Sequence, residues 1–118
     1  PHAILLKKEL DKDDVSLNKL ETKGIAIGCF EEAEYREEQV YLASSNKLYV
    51  FSDGVYEITD KNDHEMTLEN FSDLVEKKFC DDNKLQSADI YAEINHMQKV
   101  AGPLNDDFSI LELIFKHN

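Results

Sequence analysis

The chain has 118 residues, of which 42% are apolar, and this length and composition fit a single folded domain and exclude global disorder. Its 25 acidic residues outnumber 13 lysines and arginines and give a net charge of −12 at pH 7, which argues against binding to nucleic acid or to anionic membranes. No apolar stretch approaches the roughly 20 residues of a membrane-spanning helix. We expect a cytoplasmic protein in which Cys29 and Cys80 are reduced, partly buried thiols, since they lack CxxC spacing.

The first half of the chain predicts β-strands, because short apolar or alternating stretches are separated by polar turns. These stretches are Ala3–Glu9, Val15–Glu21, Arg36–Ala43 and Lys47–Ser52. The last stretch is the strongest, since aromatic and β-branched residues occupy both of its faces. It runs directly into Asp53 and Gly54.

The second half predicts two helices and a final strand. Thr67 is a suitable N-cap for a helix that ends near residues 81–83, and Ser87 is a suitable N-cap for the next. The apolar residues of the second helix lie on one stripe and are Ile90, Ile94, Met97 and Ala101, with Gly102 and Pro103 ending the helix. The final stretch, Phe108–Phe115, is apolar on both faces, as expected of an inner strand. This order predicts an α+β fold with antiparallel strand pairing.

We expect several acidic clusters and histidines to be ordinary surface residues without a binding role. The clusters at Asp11 and at Asp60 lack the glycine at the sixth position and the glutamate at the twelfth that a calcium-binding EF-hand loop needs, so both predict turns. We expect His2 and His117, near the two ends, to be mobile. The residue His64 is expected to be solvated in a polar loop.

Two carboxylates are expected to meet at one edge of the sheet. Asp53 ends one predicted strand and Asp106 begins another, so antiparallel pairing of these strands brings both side chains to the same edge. Crowded carboxylates repel each other unless a proton or a cation intervenes, and a hard divalent cation with several waters suits such a site. Gly54 fits this arrangement, because a side chain there would crowd the turn. The alternative is an ordinary Asp-Gly turn beside an ordinary strand start.

Four segments, in order, resemble the metal-dependent (PPM, type 2C) protein phosphatases, and most closely the bacterial SpoIIE/RsbU group. The segment 48–57 resembles the family's Asp-Gly signature, and 105–111 resembles its closing Asp-Asp-(Ile/Phe)-(Ser/Thr) strand. The segment 24–28 resembles a Gly-x-Pro-Leu-Gly motif with Ala26 in place of proline. Residues 1–6 resemble the strand that follows the family's Gly-His, so the resemblance covers essentially all of residues 1–118.

The resemblance implies an α-β-β-α sandwich with a binuclear Mn²⁺ or Mg²⁺ centre between two sheets. Metal-activated water then attacks the phosphorus of a phosphoserine or phosphothreonine without a covalent intermediate. By motif match, Asp53 and Asp106 are metal ligands and Gly54 is a backbone-geometry residue. Asp107 has three open roles: it ligates a further metal, caps the strand or supports Asp106.

The resemblance is incomplete at its upstream side. The family's first metal-binding aspartate, in a Gly-Gly-Asp-type motif, and its Gly-His have no counterpart in these residues. We therefore expect the C-terminal portion of a phosphatase domain, with an incomplete metal centre and little activity by itself. Missing strands would expose sheet edges, through which the piece could form a homodimer.

The sequence leaves three interpretations of the function open, of which the phosphatase is the first. The phosphatase interpretation implies a phosphoprotein substrate, in this group a STAS-type anti-sigma-factor antagonist, and an upstream sensory or receiver domain. The second interpretation is a non-catalytic interaction module with the same fold. A third is an unrelated acidic cation-binding domain, which calcium binding at the Asp60 or Asp11 cluster would favour.

Overall fold

Four antiparallel strands and two α-helices make up the regular structure of the computed structural model, which describes residues 2–9, 14–21, 28–81, 84–100, 104 and 106–116. In chain order the elements are β1 (His2–Lys8), β2 (Val15–Lys19), β3 (Ser45–Phe51), α1 (Leu68–Asp81), α2 (Ser87–Met97) and β4 (Ile110–Lys116). A short 3₁₀ turn, Asp53–Val55, follows β3 directly. The predicted α+β class is confirmed.

The strands form one sheet in the order β2-β1-β3-β4, and every neighbouring pair is antiparallel. In this register Tyr49 of β3 lies between Ile4 of β1 and Glu112 of β4. At the end of β3, Phe51 pairs with His2 on one side and with Ile110 on the other. The predicted antiparallel pairing of the strands that flank the two carboxylates is therefore confirmed.

The core lies between one face of the sheet and the two helices. The strands contribute Ile4, Leu6, Tyr49 and Phe51, and the helices contribute Phe71, Val75, Phe79, Ile90 and Ile94, all of them nearly inaccessible to solvent. The predicted N-cap of α1 is confirmed, because the Thr67 hydroxyl accepts a hydrogen bond of 3.1 Å from the backbone N–H of Asn70.

The second helix differs from the prediction at both ends. Gln86, rather than Ser87, is the N-cap residue, and its backbone N–H donates to the Asp89 carboxylate over 2.9 Å. The helix ends at Met97, because Gln98 forms an isolated bridge with Asp60 instead of continuing the helix. Ala101, Gly102 and Pro103 lie outside the described residues.

Two strand predictions were wrong. The final strand is an edge strand of the described sheet, and its residues Leu111 and Ile114 are 58% and 52% exposed. No strand forms over residues 36–43. At the end of that stretch the Asn46 side chain bonds both to the N–H of Ala43, over 2.8 Å, and to its carbonyl, over 2.7 Å, so these groups do not pair with a strand.

Both cysteines, Cys29 and Cys80, are exposed rather than partly buried. The neighbouring Gly28 has φ of +87°, in the left-handed region that favours glycine. The rest of the 24–28 motif, residues 24–27, lies outside the described residues, as do Asp11, Asp13, Asn105 and His117.

Candidate metal centre

The candidate centre begins at the turn that follows β3. The backbone N–H of Val55 donates to the Ser52 carbonyl over 3.1 Å, and that of Tyr56 donates to the Asp53 carbonyl over 3.0 Å. These bonds reverse the chain just after the strand, so that Asp53 stands at the end of the sheet. Its side chain is 57% exposed, which leaves the carboxylate accessible from solvent.

A serine that the sequence analysis missed joins this turn to the segment before β4. The Ser52 backbone N–H donates to the Ser109 carbonyl over 3.0 Å, which extends the β3–β4 pairing by one step. The Ser52 hydroxyl donates to the Asp107 carbonyl over 3.1 Å and accepts from the Ser109 N–H over 3.3 Å. The sequence offered one signal for this role: Ser52 directly precedes Asp53 and Gly54 and ends a strand that was expected to pair with the closing strand.

Gly54 lies against the same segment without room for a side chain. A Cβ atom there would stand 2.3 Å from the Asp107 carbonyl oxygen and 3.2 Å from the Asp106 Cβ. Glycine is therefore required by a close approach of two backbones. The structure thus places the Asp53–Gly54 turn against the segment that contains Asp106 and Asp107.

The donor set suits a hard divalent cation but does not complete its coordination. Asp53, Asp106 and Asp107 are exposed carboxylates, the oxygen ligands that Mg²⁺ and Mn²⁺ prefer. One oxygen of Asp106 accepts the Asp107 backbone N–H over 2.7 Å, which orients the carboxylate. Within the described ranges, no group of three or more histidine, cysteine, aspartate or glutamate side chains is placed to hold a metal ion. These residues fit a metal centre that solvent or further protein ligands complete, and their role as ligands stays a prediction.

A histidine expected to be mobile lies at the centre instead. His2 is part of β1, and its Nε2 atom stands 3.1 Å from the Asp53 carboxylate. The same nitrogen lies 3.2 Å from the hydroxyl of Tyr56. Burial, and then the negative charges of Asp53 and Glu57, raise the pKa of Tyr56, so its phenol keeps its proton at neutral pH. Had the pairing of β1 with β3 been predicted, it would have placed His2 beside the Asp53 turn.

The Asp60 cluster is a turn, as the sequence predicted. One carboxylate oxygen of Asp60 accepts the backbone N–H groups of Asn62, over 2.8 Å, and His64, over 3.0 Å. The His64 hydrogen bond in particular lowers the pKa of Asp60. The His64 side chain is 78% exposed, which confirms that it is solvated.

Known proteins resemble this chain over most of its length. The family model described as stage II sporulation protein E (SpoIIE) matches residues 6–116. The phosphoserine phosphatase RsbU of Bacillus subtilis (strain 168) is 26% identical over 100 residues, which are 85% of this chain and 29% of that protein. The chain thus spans less than a third of that relative. No solved structure gives a significant match. In the described part of the chain, no helix has the length and apolar character needed to cross a membrane.

Proposed function

The chain belongs to the stage II sporulation protein E family, and we propose that it forms part of a Mn²⁺- or Mg²⁺-dependent phosphatase acting on phosphoserine or phosphothreonine. The observation that supports this proposal most directly is the contact of the Asp53–Gly54 turn with Asp106 and Asp107. Exposed carboxylates held at one end of a sheet are suited to hold a divalent cation in reach of a protein substrate.

In the proposed centre Asp53 and Asp106 hold the metal, and Asp107 either adds a ligand or supports Asp106. A metal held there would lower the pKa of a bound water and would polarise the phosphoryl group. The protein's part is positional: Gly54 permits the close approach of the two segments, and Ser52 fixes their separation by its hydrogen bonds. The turn and the strand thus orient the carboxylates before any ligand arrives.

The proposed substrate is a phosphorylated signalling protein. The relative is named as a phosphoserine phosphatase. The resemblance of this chain to the SpoIIE/RsbU group implies an anti-sigma-factor antagonist of the STAS type as substrate. We propose the cytoplasm as location and a sensory or receiver domain upstream. The net charge of −12 is compatible with substrate surfaces that carry lysine and arginine around the phosphorylated residue.

We further propose that residues 1–118 alone hydrolyse phosphoesters slowly or not at all, because the family's Gly-Gly-Asp-type motif is absent from their sequence. The exposed edge strand β4, with Leu111 and Ile114 in solvent, also supports self-association of this piece through its sheet edge. Sedimentation of the 118-residue chain tests the second point: a monomer at all concentrations contradicts it.

The decisive experiment is hydrolysis of an aryl phosphate by the full-length protein with and without Mn²⁺. We expect Asp53→Asn to lower the Mn²⁺-dependent rate by more than about 100-fold. This loss exceeds the 10- to 100-fold that typically follows removal of a group that only hydrogen-bonds to a metal ligand. The exposed Asp73 on α1 provides the control, because Asp73→Asn makes the same chemical change at a residue outside the proposed ligand set. A folded protein without Mn²⁺-dependent activity contradicts the proposal and favours a non-catalytic interaction module.

A further inference from the structure

The contact between β1 and the Asp53 turn assigns a role to a residue outside the predicted ligand set. We propose that His2 is a positioning residue: its imidazole donates a hydrogen bond to one oxygen of Asp53 and so presents the other oxygen to the metal. This inference rests on the proposed function, since it concerns the same centre. It begins from the 3.1 Å distance between His2 Nε2 and Asp53 Oδ1.

Two oxygen atoms lie within hydrogen-bond distance of His2 Nε2. Nε2 lies 3.1 Å from a carboxylate oxygen of Asp53 and 3.2 Å from the hydroxyl oxygen of Tyr56. An ionised carboxylate can accept hydrogen bonds but cannot donate them. An Nε2 atom without a hydrogen would therefore direct its lone pair at a lone pair of the Asp53 carboxylate. We therefore assign the hydrogen to Nε2, where the Asp53 oxygen can accept it. This holds for the Nε2–H tautomer and for the imidazolium alike.

The imidazole is held more firmly than the carboxylate that it contacts. It belongs to a strand, paired with Phe51 in the register, and its ring lies 5.9 Å from the ring of Phe51. The ring of Tyr56 meets it edge to face at 5.7 Å. The His2 side chain is 33% exposed and that of Asp53 is 57% exposed. The histidine can therefore restrict the rotation of the Asp53 carboxylate.

The expected consequence is a change in metal affinity. Hydrogen-bond partners of ligating groups typically contribute 10- to 100-fold to metal binding, and we expect about 10-fold here because the pair is partly exposed. The hydrogen bond selects one orientation of the carboxylate, so less ordering remains when the ion binds. Loss of the donor should therefore weaken binding, and a different side chain with a donor at the same place should restore it.

The test is Mn²⁺ binding to the full-length protein, followed by the electron paramagnetic resonance signal of free Mn²⁺. His2→Ala removes the donor, His2→Gln keeps an N–H near the position of Nε2, and Tyr56→Phe removes the hydroxyl but keeps the ring. His64→Ala is the matched control, because His64 also stands near a carboxylate, 3.8 Å from that of Asp60. We expect about 10-fold weaker binding for His2→Ala, less than about 3-fold for His2→Gln and no change for His64→Ala.

The outcomes separate this inference from the function on which it rests. If the wild type binds no Mn²⁺, the proposed function fails and the inference fails with it. If Asp53→Asn abolishes binding but His2→Ala binds as the wild type, the function stands and the inference is overturned. Equal losses in His2→Ala and His2→Gln would also overturn it, in favour of a packing role.

A second measurement does not depend on the metal, and its first part uses the wild-type protein alone. The ¹⁵N spectrum of the His2 imidazole in the metal-free protein should show a hydrogen on Nε2, and a hydrogen on Nδ1 alone would overturn the inference. A metal-free Asp53→Asn protein should show an altered Nε2 shift, whereas Asp60→Asn should leave it unchanged.

Discussion

Replacing Gly54 by alanine is the sharpest test of how the two segments meet. The added Cβ would stand 2.3 Å from the Asp107 carbonyl oxygen, whereas ordinary contacts begin near 3.4 Å, so the backbones must separate by about 1 Å. That movement breaks the 3.1 Å bond from the Ser52 hydroxyl to the same carbonyl. Overpacking usually costs 1–3 kcal/mol, and we expect about 3 kcal/mol here because the obstacle is backbone that cannot rotate away.

Urea unfolding of the 118-residue chain measures this cost, and thermal unfolding should show a fall in Tm of about 12 °C for a domain of this size. Gly28→Ala is the control, because Gly28 has φ of +87° but nothing within 4 Å of the added atom. It should cost only about 1 kcal/mol, from the backbone conformation alone. In the full-length protein, Gly54→Ala should also weaken Mn²⁺ binding, and Gly28→Ala should not. A Gly54→Ala chain as stable as the wild type would refute the close approach.

Two further predictions concern stability. Lys47 and Glu112 are a largely buried pair, 3.8 Å apart, so Lys47→Met should destabilise the chain by about 3 kcal/mol in urea unfolding by leaving Glu112 without its cation. The double variant Lys47→Met/Glu112→Leu should recover most of this loss, and a double variant as unstable as the single one would contradict the reasoning. Hydrogen bonds from the His64 and Asn62 N–H groups lower the pKa of Asp60, so its contribution to stability is present above the unfolded value of 3.8 and is lost as the pH falls through the folded value. Asp60→Asn should therefore be less stable than the wild type at pH 7, and the difference should narrow as the pH falls below 3.8. A difference of the same size at neutral and acidic pH would contradict this origin.

The sequence allowed much of the fold to be predicted, because hydrophobic periodicity and capping are local signals. The strand before Asp53 and the helix capped by Thr67 were found within one or two residues of their observed bounds. The position of the final strand at the sheet edge could not be predicted, because a sequence that is apolar on both faces of a strand does not distinguish an edge strand from a central one. The alternation over residues 36–43 likewise predicts a strand, but a strand also needs a neighbour, which no local pattern reports.

The contact of the Asp53 turn with the segment before β4 was predicted for similar reasons. Asp53, Asp106 and Gly54 were selected because antiparallel pairing of two recognisable strands places their ends together, and that pairing is present. His2 was missed because proximity to a chain end was taken to mean mobility, whereas pairing of β1 with β3 holds it in the sheet. Ser52 was missed because the hydrogen bonds of its hydroxyl depend on the register between strands far apart in sequence.

The position of β4 also has a consequence for motion. Asp53 follows a central strand, whereas Asp106 precedes a strand with a single neighbour in the described sheet. Edge strands open by local fluctuation at lower free energy than the core, so the two halves of the centre belong to regions of unequal local stability. Amide hydrogens of β4 should exchange before those of β3, and a ligand that bridges the two halves should slow exchange mainly in β4. We therefore expect binding at the proposed site to be coupled to closure of the sheet edge rather than to global folding.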